Sequence, residues 1–118
     1  MIQTFLVNTD LKMRKGKIAA QVGHGVTLYM RNVNSPLHED MKERSEVWID
    51  SGMHKIVLKS TEKEMIEIIN ILNNLDIMCY VVRDFGLTQI PKNSFTVLAV
   101  EPLDEQSHQV IFGHLKLL

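Results

Sequence analysis

The sequence predicts an α/β fold built on a small mixed four-stranded sheet, and three observations carry that prediction. Apolar stretches of strand length alternate with longer stretches of helical period. The first three strands are joined through helices, which favours parallel neighbours. The last two are joined by FGLTQIPKN, nine residues without a helical pattern, which permits an antiparallel neighbour.

Taken in order, IQTFLVN (2–8) reads as a first strand, and TDLKM links it to a helix from about Lys15 to Arg31. VNSPLHED breaks the pattern at Asn34, Ser35 and Pro36. DMKERSEVWIDSG is a second, mostly acidic helix ended by Gly52, and HKIVLKS (54–60) a second strand. Thr61 with Glu64 forms a capping box that opens a third helix through MIEIINILNNL, whose Met and Ile residues are expected in the core. IMCYVVRD (77–84) is a strand apolar on both faces, which predicts a central position. SFTVLAVEP is the fourth strand and DEQSHQVIFGHL a closing helix with a short tail. The segments leaving the first and third strands, DLKMRKGK and DFGLTQ, should therefore share one rim, at the carboxyl ends of parallel strands where ligands bind in open α/β sheets.

At 118 residues the chain makes one domain, residues 1–118, with 45% hydrophobic and 23% charged residues. The net charge of -1 gives no global sign of a polyanion partner, so any nucleic-acid contact must come from a local patch. No apolar run approaches the roughly 20 residues of a membrane span, so no membrane partner is expected. MIQTFLVNTD is too short and polar for a signal peptide. A single cysteine, Cys79, excludes an internal disulfide and fits a cytoplasmic protein; its apolar neighbours predict a buried, inert thiol.

MRKGKIAAQVGHGV (13–26) does not read as an ordinary amphipathic helix. Lys17, Gln21, His24, Leu28 and Arg31 fall on one arc, and Ile18, Ala19, Val22, Val26 and Tyr29 on the opposite one. The polar arc by itself would be a solvated face. Gly23 and Gly25, however, each cost about 1 kcal/mol relative to alanine inside a helix, and suit close approach of another backbone or a ligand. Gly16 frees N–H groups at the positive end of the helix dipole. Lys12, Arg14, Lys15 and Lys17 add four cations within six residues, against Asp10. Together these features suit a phosphate-bearing ligand, although neither a Walker loop nor a dinucleotide fingerprint is present.

DLKM-x-x-GKIAAQ-x-x-H after a strand, D-x-G-x-TQI after a later one, TVLA, and a terminal GHLKL resemble the peptidyl-tRNA hydrolase 2 family, the hydrolases typical of archaea and eukaryotes. The similarity runs from about Phe5 to the last residue, and four motifs in order are specific where any one would be weak. The resemblance implies a mixed sheet with helices on both faces and an enzyme that cleaves the ester between a peptide and the terminal ribose of tRNA. It implies neither metal nor cofactor, and commonly a homodimer.

Carried over by motif position, the functional set is Lys17, Gln21 and His24 on the helix with Asp84, Thr88 and Gln89 after the third strand. Ester hydrolysis needs an activated water, a stabilised oxyanion and a proton for the leaving oxygen. His24 and Asp84 are expected as the acid/base pair, and Lys17 as oxyanion stabiliser or phosphate ligand. Thr88 and Gln21 would donate hydrogen bonds, while Lys12, Arg14, Lys15, Gln21 and Gln89 would bind substrate. The chain also departs from the pattern. Asn8 and Leu87 stand where relatives carry arginines, which predicts weaker tRNA binding rather than lost catalysis; Val22 and Gly25 replace a small residue or cysteine and an alanine.

The rival of another class is an RNA- or protein-binding module on the same fold that hydrolyses nothing; a small-molecule-sensing domain would explain the fold but not the clustered cations. The five histidines show no H-x-x-x-H spacing, and His114 is expected to pack or pair with backbone. Trp48 either anchors its helix or faces a partner. The acidic face from Glu39 to Asp50 should be solvated and repel RNA, so that tRNA approaches from the Lys12–Lys17 side.

Overall fold

A computed structural model describes residues 1–85 and 90–118, and its elements follow the predicted order. They are β1 (Gln3–Asn8), a short 3-10 turn (Thr9–Leu11), α1 (Lys15–Val33), α2 (Glu39–Asp50), β2 (Lys55–Ser60), α3 (Glu62–Asn74), β3 (Cys79–Arg83), β4 (Phe95–Val100) and α4 (Glu105–Phe112). The strands form one sheet in the order β2-β1-β4-β3. β1 and β2 are parallel, while β4 runs antiparallel to both β1 and β3. The sheet is mixed, and β1 and β3 both send their carboxyl ends to one rim.

The predicted central position of β3 is overturned: β3 is an edge strand, and the centre belongs to β1 and β4, both buried throughout. β3 is apolar because α1 covers one face, through Tyr80 and Val82, while Cys79 packs against the core on the other and Val81 is 37% exposed. Cys79 is half-buried, and burial pushes its thiol above the ordinary range, as suits an unreactive group.

Alternation along the strands sorts the core into two layers. Leu6, Leu98 and Val100 face α3 and α4, where they meet Met65, Ile68, Leu72 and Phe112. Phe5, Val7, Val97 and Ala99 face α1. In α3 only part of the apolar run is core, since Ile66 and Ile71 are about half exposed; three buried positions in thirteen suffice for a helix lying on one face of a sheet. The Thr61–Glu64 capping box is present in both directions, and the Asp10 carboxylate accepts from the Glu62 N–H, so that acid serves the start of α3. Trp48 anchors α2: it is buried, donates its indole N–H to the His54 carbonyl at 3.0 Å and meets Tyr29 edge-on at 5.8 Å. Gly52, at φ +110°, follows the end of α2 as expected. The outer face of α2 is solvated.

Beyond α4 the chain returns to the free edge of β2. Lys59 N–H donates to the Lys116 carbonyl at 2.8 Å and Leu118 N–H to the Val57 carbonyl at 3.1 Å, with Leu117 opposite Leu58. His114, expected to pack or pair with backbone, is exposed, and the tail is held through backbone hydrogen bonds of its neighbours.

His108 of α4 shares a 2.9 Å hydrogen bond with the buried Thr4 hydroxyl, and burial holds its imidazole below the ordinary 6.5, with the neighbouring His54 adding to the effect. The folded state therefore binds fewer protons than the unfolded one once the unfolded imidazole titrates. Stability should be unaffected by this group well above pH 6.5 and should fall as pH drops through that value towards the folded pKa. Urea unfolding at a series of pH values is expected to show that fall in the wild type and a shallower one in His108→Gln.

Candidate active site

α1 begins where β1 ends, at the rim reached by the carboxyl end of β3. Its first turn is unusual. Arg14 is the N-cap and offers no side-chain capping bond, no acidic residue lies in the turn, and Lys15 and Lys17 do. Cations at a helix N-terminus oppose the dipole, so helix stability does not explain the composition. The exposed Lys12, Arg14 and Lys15 make no ion pair among the described residues. The result is a patch of unmatched positive charge around uncapped N–H groups, a setting that attracts anions.

Lys17 has a different environment. Its ammonium pairs with the Asp84 carboxylate, and the two side chains are only 9% and 5% exposed. Asp84 follows β3 directly, and its backbone is clamped on both sides. Its N–H donates to the Ser94 carbonyl at 3.1 Å, and its carbonyl accepts from Asn93 N–H at 2.7 Å. Sixty-seven residues apart in sequence, lysine and carboxylate are held by the topology that the sequence predicted.

Gln21, placed by sequence on the polar arc of α1, is 3% exposed. The buried stripe of α1 is Gln21, Gly25, Tyr29 and Val33, while Ala19, assigned to the apolar arc, is exposed. Gly25 explains the shift: a Cβ there would stand 2.9 Å from Ala99 Cβ and 3.3 Å from a Phe5 ring carbon. The helix thus comes onto the sheet closely at this point, and its Gln21 side goes down with it. Gly23 meets nothing within 4 Å and has no such role.

The Gln21 amide is met by Thr96, whose hydroxyl donates to Gln21 Oε1 at 2.6 Å and stands 3.1 Å from the Val82 carbonyl oxygen. Thr96 faces α1 because of a β-bulge. Pairing steps from Val82↔Val97 to Arg83↔Phe95, leaving Thr96 without a partner and turning it to the same side as Val97. Thr96 was not among the site residues expected from sequence; its position as the one polar residue within FTVLAV was its only signal.

His24 lies two turns beyond Lys17 on α1 and is exposed. Among the described residues it makes no hydrogen bond, so the geometry pairs Asp84 with Lys17 rather than with the expected histidine. His24 instead lines a groove of about 390 Å³ between α1 and β3, together with Phe85 and Asn93. Thr88, Gln89 and Leu87 lie outside the described residues. Asn8, at the position of a family arginine, is 1% exposed and fully engaged: its amide donates to the Phe95 carbonyl at 2.8 Å and its oxygen accepts from Asp10 N–H at 3.0 Å. No set of three or more His, Cys, Asp and Glu side chains that could hold a metal ion occurs among the described residues, and no helix there is long and apolar enough to cross a membrane.

The rim therefore joins a shielded ammonium–carboxylate pair, a buried amide–hydroxyl bond, an exposed imidazole and a cationic helix start. The family model for Peptidyl-tRNA hydrolase PTH2 matches residues 1–118. A peptidyl-tRNA hydrolase of Sulfolobus acidocaldarius is 39% identical over 120 aligned positions, covering all of both chains. One from Thermococcus onnurineus is 36% identical over 98% of this chain and 96% of its own. A probable peptidyl-tRNA hydrolase 2 of Dictyostelium discoideum is 37% identical over 98% of this chain and 53% of its own.

Proposed function

This chain belongs to the peptidyl-tRNA hydrolase PTH2 family, and we infer that it hydrolyses the ester between a peptide and the terminal ribose of tRNA. The release of tRNA from stalled translation is the consequence. The observation that carries the reading to particular residues is the buried Lys17–Asp84 pair beside an uncapped, cation-bearing helix start.

In this reading the Asp84 carboxylate orients a water and takes its proton as the oxygen attacks the ester carbonyl. The Lys17 ammonium stands beside the oxyanion that develops, in a place shielded from water where a fixed charge has most effect. Collapse of the tetrahedral intermediate expels the ribose oxygen, which takes its proton from His24 of the groove between α1 and β3. Gln21, fixed by Thr96, orients the acyl carbonyl or the water. Thr88 and Gln89 of the TQ motif belong to the same set by resemblance. Lys12, Arg14 and Lys15 hold the phosphates next to the ester. A homodimer and a cytoplasmic location belong to the same reading; light scattering checks the first.

The test is release of labelled N-acetylphenylalanine from N-acetylphenylalanyl-tRNA. The wild type should hydrolyse it. Lys12→Gln/Arg14→Gln/Lys15→Gln should raise KM by about tenfold or more at moderate salt while leaving kcat within a few-fold. The plot of log(kcat/KM) against log[salt] should flatten by up to ~3 as three phosphate contacts are lost. A folded wild type that binds tRNA without hydrolysing the ester would leave only the binding-module reading.

A further inference from the structure

Resting on the reading above, we propose that the groove between α1 and β3 is a nucleobase subsite that receives the 3′-terminal adenine of the tRNA, with Phe85 as its stacking platform. The groove holds about 390 Å³ and is lined by His24, Thr27 and Leu28 of α1, by Val81 of β3, and by Phe85 and Asn93. That volume is at the low end of ligand sites, which run to roughly 300–1,000 Å³, and suits one planar ring system rather than a length of chain.

Its chemistry is divided as a nucleobase requires. Leu28 and Val81 form an apolar wall, and Phe85, 82% exposed, presents an uncovered aromatic face. A phenylalanine this exposed gains nothing from the core, whereas single-stranded nucleic acid is held by such faces. Thr27 and Asn93 bring the polar groups that can meet a base edge. Asn93 is not free to drift: it sits at φ +66°, donates its N–H to the Asp84 carbonyl, and accepts from Arg83 through its own carbonyl at 3.0 Å.

The position also fits. Phe85 follows Asp84 in the chain, and His24 lines the same groove. A base stacked on Phe85 therefore brings its own ribose, and the ester on it, to the Lys17–Asp84 pair. Phosphates then lead back towards the cations at the start of α1. A second groove on the opposite flank of α1, lined by Val22, Val57 and Leu118, belongs to the β2 side of the sheet, three strands from β3, and has no residue next to Asp84 in the chain as Phe85 is.

Two measurements test the assignment. The first compares kcat/KM for N-acetylphenylalanyl-tRNA ending in adenosine with that for the same tRNA ending in uridine. The expected preference for adenosine is several-fold, because the purine offers the larger stacking face and Thr27 and Asn93 can meet its edge. Phe85→Ser should shrink that ratio towards one, and Phe85→Tyr should restore it. The second is binding of adenosine 5′-monophosphate followed by NMR, with uridine 5′-monophosphate as control; it should occur in wild type and Phe85→Tyr and be lost in Phe85→Ser. Equal rates on both tRNA ends in the wild type overturn the subsite while leaving the hydrolase intact. So does a Phe85→Ser variant that instead loses discrimination between N-acetylphenylalanyl and N-acetylglycyl esters, which would put the peptide in the groove. Binding lost in Phe85→Ser from a protein that cleaves no ester supports the subsite and overturns the hydrolase reading. Absent binding together with absent cleavage overturns both.

Discussion

Replacing Lys17 by methionine is expected to lower hydrolysis of N-acetylaminoacyl-tRNA by on the order of 100-fold or more and to destabilise the fold by about 3 kcal/mol. Both effects follow from one fact: the Asp84 carboxylate is 5% exposed and faces the ammonium directly. Taking away the cation leaves a largely desolvated carboxylate that has lost its ammonium partner. Stability and catalysis are separable by a second substitution. Lys17→Met/Asp84→Leu removes both charges and should regain most of the lost stability, because well-packed apolar residues often replace a buried ion pair at little cost. It should remain inactive. Asp84→Asn keeps the shape and should also lose activity. Urea midpoints read beside turnover give the answer, and a double variant that recovers activity along with stability would remove Lys17 and Asp84 from the chemistry.

Gly25→Val should be the next largest change, destabilising by about 1–3 kcal/mol through overpacking and lowering activity with it. Even a Cβ at this position meets Ala99 Cβ at 2.9 Å, and two γ-carbons leave no arrangement in which α1 keeps its height over the sheet. Lifting the helix draws Gln21 away from Thr96, whose bond is 2.6 Å long, so the loss should appear in kcat as well as in the urea midpoint. Gly25→Ala is the milder control. Its close Cβ contacts with Ala99 and Phe5 are opposed by a helix-propensity gain of about 1 kcal/mol, and a smaller net loss than that of Gly25→Val is expected. A Gly25→Val protein as stable and as active as wild type would show that the helix can rise without consequence.

Local sequence determined more of this molecule than its distant contacts would suggest. The Thr61–Glu64 box, the break at Asn34–Pro36 and the glycine beyond α2 are all signals within a few residues of what they control. The shared rim was legible too, because topology alone puts the ends of β1 and β3 together. What pattern could not give was rank within the sheet. β3 and β4 are similarly apolar, and only the pairing of β4 with both β1 and β3 makes it central. Nor could it give the burial of Gln21, whose partner Thr96 stands 75 residues away and points inward only through the bulge opposite Val82. His24 was expected beside Asp84 on residue types; the backbone instead gives the carboxylate to Lys17 and leaves the imidazole at the groove.

The return of the chain along β2 has a bearing on how this protein keeps to itself. An uncovered strand is a template on which another molecule's strand can add. Here three residues, Lys116–Leu118, occupy that template with two backbone hydrogen bonds. At the opposite margin, β3 is only five residues long, ends in Arg83 and is broken in register by the bulge. A four-stranded sheet with two apolar central strands is thus closed to fibrillar growth at one side by its own tail and discouraged at the other by twist and charge. Removing Lys116–Leu118 would reopen the first margin, and self-association at high concentration is where that opening would first be seen.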